Sequence, residues 1–159
     1  MKKFELTSEF VTFLGKKLFR IKALISFGNV EEGELGGYVE KEENLSDDGD
    51  AWVYGNARVS GNARVSGDAR VYGNAEVSGD AMVHDNADYA TVQGFGSEYR
   101  TTTFFRTKAG DIGVRCGCFY GTLDDFRKKV KETHGDSKTA KEYLMVADLM
   151  EFRFSEEEV

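Results

Sequence analysis

Six glycines in this chain fall at a fixed spacing: Gly49, Gly55, Gly61, Gly67, Gly73 and Gly79. Ala51, Ala57, Ala63, Ala69, Ala75, Ala81 and Ala87 keep the same period, as do Val53, Val59, Val65, Val71, Val77 and Val83, with Tyr89 closing the valine series. Asn or Asp stands between each Gly and Ala, from Asp50 to Asn86. The unit Gly-[Asn/Asp]-Ala-x-Val-x thus runs seven times over residues 49–90, with Asp85 in place of the last Gly. A period of six excludes the 3.6-residue stripe of an amphipathic helix. It fits a coil of short strands instead. Ala and Val are two apart, so both point inward from one strand, and the x positions point outward. Gly with Asn or Asp makes each corner, because Gly accepts positive φ and Asn or Asp accepts a tight polar turn. Three faces then close one coil of about 18 residues, and position i stacks on i+18. The chain has no Pro, which suits strands that give every N–H to the ladder between coils.

Stacking at i+18 predicts three outward ladders. The first carries Trp52, Arg70 and Asp88, with Tyr54 and Tyr72 beside them. The second sets Arg58 on Glu76 and Ser60 on Ser78, a charge pairing on a solvated surface. The third sets Arg64 on Met82 and Ser66 on His84. Trp52, Tyr54 and Tyr72 facing outward make an aromatic patch, and a patch of that kind is usually covered. The cover is a flanking segment or a second subunit; a ligand is the sharper alternative.

Composition bounds the rest. The 159 residues, 40% hydrophobic with 12 Phe and 7 Tyr, suffice for a core and exclude a disordered coil. The start, Met1-Lys2-Lys3-Phe4-Glu5, lacks the apolar core of a signal peptide, and no apolar run is long enough for a membrane helix. Two cysteines one residue apart cannot staple a fold, so the expected setting is reduced and cytoplasmic. The net charge is −7, and most of it sits before residue 97, which argues against direct nucleic-acid binding.

Outside the hexads, Phe10–Leu14 and Leu18–Leu24 around Gly15 predict a β-hairpin. Val39 and Leu45 are six apart and out of phase with Val53 by two residues, as an irregular first coil would be. Residues 1–48 therefore read as a hairpin cap over one end of the coil. Downstream, Glu98–Lys108 and Ile112–Tyr120 predict two strands. A helix follows, with Thr122 as N-cap, Asp125 completing its capping box and Gly135 as its stop. A last helix spans about Ser137 to Phe152, with Tyr143, Leu144, Ala147 and Leu149 in its buried stripe, and Glu156–Glu158 form a solvated tail. Residues 91–159 make a small ββαα module.

The hexads resemble those of the hexapeptide-repeat left-handed parallel β-helix family. They depart from it in the residue after each Val, which here is Tyr54, Ser60, Ser66, Tyr72, Ser78 or His84. Gly33-Glu34-Leu35-Gly36-Gly37-Tyr38-Val39-Glu40, Asn44-Leu45-Ser46 and Gly49-Asp50-Ala51-Trp52-Val53-Tyr54 look like a group of uncharacterised phage and prophage proteins. The resemblance implies a mainly β chain: a left-handed parallel β-helix with an N-terminal β-hairpin cap and a C-terminal α+β module. It also implies a homotrimer and a phage origin.

Candidate chemistry is sparse. Many proteins of the resembled family are CoA-dependent acyltransferases with a His base; His84, beside Asp85, is the one candidate inside the repeat. Cys116-x-Cys118 offers two thiols on one strand face, short of the four ligands of a zinc site, so no metal and no cofactor is expected. His134 with Asp136 could activate a thiol, but nothing in the sequence brings them together. The leading expectation is binding without catalysis. Arg100 and Arg106 share a face, and with Arg115 they suit the phosphates of a nucleotide-like ligand; Trp52, Tyr54, Arg70 and Tyr72 suit a stacked base. In a phage-type protein these residues would serve to counteract host defence, by sequestering a nucleotide-like signal or by inhibiting a host protein. An acyltransferase and a structural or assembly role are the alternatives.

Overall fold

The structure, a computed structural model, describes residues 2–96 and 99–155. Each hexad forms a two-residue strand: β4 Trp52–Val53, β5 Arg58–Val59, β6 Arg64–Val65, β7 Arg70–Val71, β8 Glu76–Val77 and β9 Met82–Val83. The pairings are parallel and fall at i+18, with Val53 on Val71, Val59 on Val77 and Val65 on Val83. Backbone bonds run from one coil to the next, as from the Tyr54 N–H to the Val71 carbonyl at 2.8 Å. All twelve Ala and Val side chains of these six hexads are buried, so small and large inward residues fill the coil. The corner glycines have φ between +55° and +73°, which a side chain would adopt only at a cost. Gly49 is also tight, because a Cβ there would lie 2.6 Å from the Gly67 carbonyl oxygen.

The N-terminal hairpin joins β1 (Phe4–Phe13) to β2 (Lys16–Ala23), and β2 pairs with β3 (Leu35–Val39). β3 then runs parallel to β5, with Tyr38 on Arg58 and Val39 on Val59, and Leu45 bridges Val65. These offsets are 20 residues, the extra two being the insertion ahead of Trp52. The corner of this irregular coil is Asn44, which donates to the Gly61 and Ala63 carbonyls and accepts from the Glu40 and Lys41 N–H groups. One five-stranded sheet, in the order β1-β2-β3-β5-β8, therefore carries the hairpin onto the second face.

The seventh unit departs from the repeat. Asp85 caps a short 3-10 turn at Asn86–Asp88 by accepting from the Ala87 N–H. Asp88 therefore does not stack on Arg70; it turns to Arg106, 2.9 Å away. Tyr89 likewise opens β10 (Tyr89–Phe95) and does not continue the inward valines.

The C-terminal sheet has four antiparallel strands where two were expected: β10, β11 (Arg100–Arg106), β12 (Ile112–Cys116) and β13 (Phe119–Thr122). Both faces of β11 are covered. Phe105 enters the core of the coil, and Phe104 enters a second core beneath the helices. The Lys108 N–H bonds the Asp80 carbonyl, so this sheet closes the end of the coil that would otherwise present unpaired strand edges. Helix α1 (Leu123–His134) starts at Thr122, whose Oγ1 accepts from the Asp125 N–H, and ends at Gly135. Helix α2 (Lys138–Phe154) buries Ala140, Tyr143, Ala147, Met150 and Phe154. Leu149, expected in that stripe, is exposed, and Leu144 is half-buried. Glu98 and Glu156–Glu158 lie outside the described residues.

Candidate functional site

The second face of the coil is covered where a solvated charge ladder was expected. Ser60 and Ser78 are buried, and Arg58 and Glu76 are half-buried. The cover comes from two directions. The ring of Phe13, on the hairpin, lies under the Arg58 and Arg115 guanidinia at 5.4 and 5.8 Å. From the C-terminal sheet, Thr103 Oγ1 accepts the Glu76 N–H at 2.9 Å, and Arg115 Nε donates to Ser78 Oγ at 3.0 Å.

Where this sheet diverges from the coil it leaves a cleft of about 500 Å³. The corner residues Asn56 and Asn74 and the ladder pair Arg58 and Glu76 form one wall; Gln93, Arg100 and Thr101 form the other. Tyr99 stands at the rim, 68% exposed, with φ at +52°. Positive φ is uncommon for a residue with a bulky side chain, and such strain concentrates at ligand sites. Glu76 carries the most unusual electrostatics. Its Oε2 is buried and has no hydrogen-bond partner among the described residues. Burial raises its carboxyl above the ordinary value, against the opposing pull of Arg58, Arg115 and Arg100. The desolvation of a carboxylate here outweighs three nearby positive charges. In a chain of net charge −7, the cleft gathers guanidinia and amide groups around one reluctant carboxylate. Such a lining can hold an anionic, hydrogen-bonding small molecule.

The residues expected to bind a ligand do not converge. Trp52 is completely buried, edge-on to Phe4 and Phe27 at centroid distances of 6.5 and 5.3 Å. The aromatic patch is therefore covered at Trp52 by the chain's own N-terminal segment, and Trp52 is out of reach of a ligand. Tyr54 and Tyr72 do stack outside the coil, at 4.8 Å and 19°, with Arg70 beside them, its pKa raised chiefly by Tyr72. Arg106 sits on the helix side of β11, held by Asp88 and the Phe154 carbonyl. Arg115 faces the coil. Of the seven residues, Arg100 alone lines the cleft. Arg58 and Glu76 were named in sequence only as a surface ladder; their pairing was visible at i+18, but their cover was not.

The other candidates are placed as follows. His84 is exposed on the third face, 3.1 Å from Ser66 Oγ. Asp85 is occupied as a cap and does not orient it. Cys116 ends β12, Gly117 turns at φ +59°, and Cys118 is exposed in the turn. The two thiols thus do not share a strand face, because the run read as one strand is a hairpin. Cys116 and His134 do line one pocket of about 110 Å³, with Phe119, Phe126, Lys129 and Tyr143. Asp136 is exposed and is not part of that lining. Among the described residues no group of three or more His, Cys, Asp or Glu is arranged to hold a metal, and no helix is long and apolar enough to cross a membrane.

Residues 51–67 and 63–76 match the model of the YdcK β-solenoid repeat. The chain is thus a mainly β protein with a β-solenoid repeat, in agreement with its i+18 pairing. No curated protein matches it.

Proposed function

We propose that this chain is a non-enzymatic binding protein whose working surface is the cleft between the second face of the repeat and the C-terminal sheet. The observation that carries this reading is the lining: Arg58, Arg100, Asn56, Asn74, Gln93 and Thr101 around Glu76. These groups suit a nucleotide-like ligand, with guanidinia for phosphate oxygens and side-chain amides for a base or sugar edge. In the phage setting implied by the N-terminal motifs, the protein would counteract host defence in the host cytoplasm by sequestering such a signal. The left-handed sense of the coil and the homotrimer belong to the same proposal. The exposed third face, with Arg64, Met82 and His84, is where copies would pack.

Native mass spectrometry of the protein purified from cells is the test. A bound phosphorylated mass should be retained by the wild type and lost by Arg58→Ala. A pull-down that recovers a host defence protein equally well with wild type and Arg58→Ala would move the function to a protein partner. A protein that carries no ligand and has no affinity for nucleotides would refute the cleft reading. The acyltransferase alternative predicts CoA binding that depends on His84, which lies on an open face away from the cleft.

A further inference from the structure

We propose that Glu76 makes the cleft a proton-linked anion site, in which binding of a phosphate-bearing ligand takes up one proton. This inference rests on the cleft being the binding surface. Glu76 stands on β8 directly over Arg58 of β5. The charged groups that face it are Arg58, Arg100 of β11 and Arg115 of β12. Its neighbours Thr103 and Ser78 already accept, from the Glu76 N–H and from Arg115. One carboxylate oxygen is sealed from water and bonded to nothing described, so the charged form is poorly solvated before any ligand arrives. Burial already raises this carboxyl above its ordinary value.

A phosphate in the cleft works in the same direction twice. It draws on Arg58 and Arg100, the groups that favour the charged carboxylate, and it repels that carboxylate directly. The proton comes from solvent and adds to the Glu76 carboxylate, with no covalent bond made or broken at the ligand. The neutral carboxyl can then donate one hydrogen bond to a phosphate oxygen. Glu76 thereby sets preference as well as pH response: its charged form disfavours anions, and its neutral form accepts them.

The probe is ATP, titrated calorimetrically into the full chain between about pH 6 and about pH 8, in two buffers of different ionisation enthalpy. Affinity should rise on acidification, by at most about tenfold per pH unit for a single proton. The buffer difference should report proton uptake by the wild type beyond that seen with Glu76→Gln, which cancels the titration of ATP itself. Glu76→Gln should bind at the upper pH at least as tightly as the wild type. Binding with identical pH dependence and proton count in both proteins would overturn the linkage while leaving the cleft as the site. Absence of ATP binding throughout the range, with both proteins folded by circular dichroism, would overturn the linkage and the cleft reading together.

Discussion

Replacing Trp52, the one tryptophan of the chain, measures how firmly the N-terminal segment seals the first coil. The indole is completely buried between Phe4 of β1 and Phe27 of the β2–β3 connection. Truncating a buried aromatic to Ala costs about 3–5 kcal/mol through lost transfer energy and the cavity left behind. The two edge contacts add specificity worth about 0.5–1.5 kcal/mol each, part of which that figure already contains. Against this, Trp52 Nε1 is buried without a partner among the described residues, so Trp52→Phe removes an unsatisfied donor whose burial costs about 1–3 kcal/mol. Trp52→Ala should therefore lose about 4 kcal/mol, and Trp52→Phe less than about 2 kcal/mol. In urea with a slope of about 2 kcal/mol/M, the Ala midpoint falls by about 2 M. Far-UV circular dichroism is the assay, since the variants have no tryptophan signal. An Ala midpoint within about 0.3 M of the wild type, at unchanged slope, would refute the sealed-indole argument.

Other positions yield equally definite outcomes. Gly49→Ala should destabilise by more than about 1 kcal/mol, because it combines φ of +73° with a Cβ 2.6 Å from a backbone oxygen; thermal melting reads it. Lys3 is buried, with Nζ 2.7 Å from the Ala51 carbonyl oxygen, and burial lowers its pKa despite Asp47, Asp50 and Asp48. Between its folded and ordinary values the unfolded chain holds the extra proton, so stability rises with pH there. The wild type should gain on Lys3→Met as alkaline pH approaches the ordinary lysine value, measured by urea midpoints. Glu76 has the opposite sign: its folded carboxyl holds a proton that the unfolded one has lost, so its contribution falls as pH rises through the raised value. Glu76→Gln should remove that fall, seen as a flatter midpoint–pH curve above the ordinary glutamate value. Thr122→Ala should cost about 0.5–2 kcal/mol through loss of the α1 cap, and hydrogen exchange should locate the loss in the first turn.

The hexads were legible because their period is six over dozens of residues and each inward position has one size. The two-residue phase shift between Leu45 and Val53 was legible for the same reason, and it appears as the change from an 18- to a 20-residue offset. The fate of Trp52 was not. An outward residue on a repeat is covered or bare depending on segments far away in sequence, here Phe4 and Phe27. β10 escaped notice because Gly94 and Gly96 follow a short run, Thr91-Val92-Gln93, that is weakly apolar. The β12–β13 turn had a usable signal in Gly117, masked by the thiols on either side. The cleft was the least legible feature. Arg58 and Glu76 look like any solvated ion pair until the sheet holding Gln93, Arg100 and Thr101 comes to rest beside them.

Amide chemical shifts of labelled protein titrated with ATP test the binding site most directly. Perturbations should concentrate on Asn56, Arg58, Asn74, Glu76, Gln93 and Thr101, the two walls of the cleft. Perturbations centred on Tyr54, Arg70 and Tyr72, or none at saturating nucleotide, would contradict it.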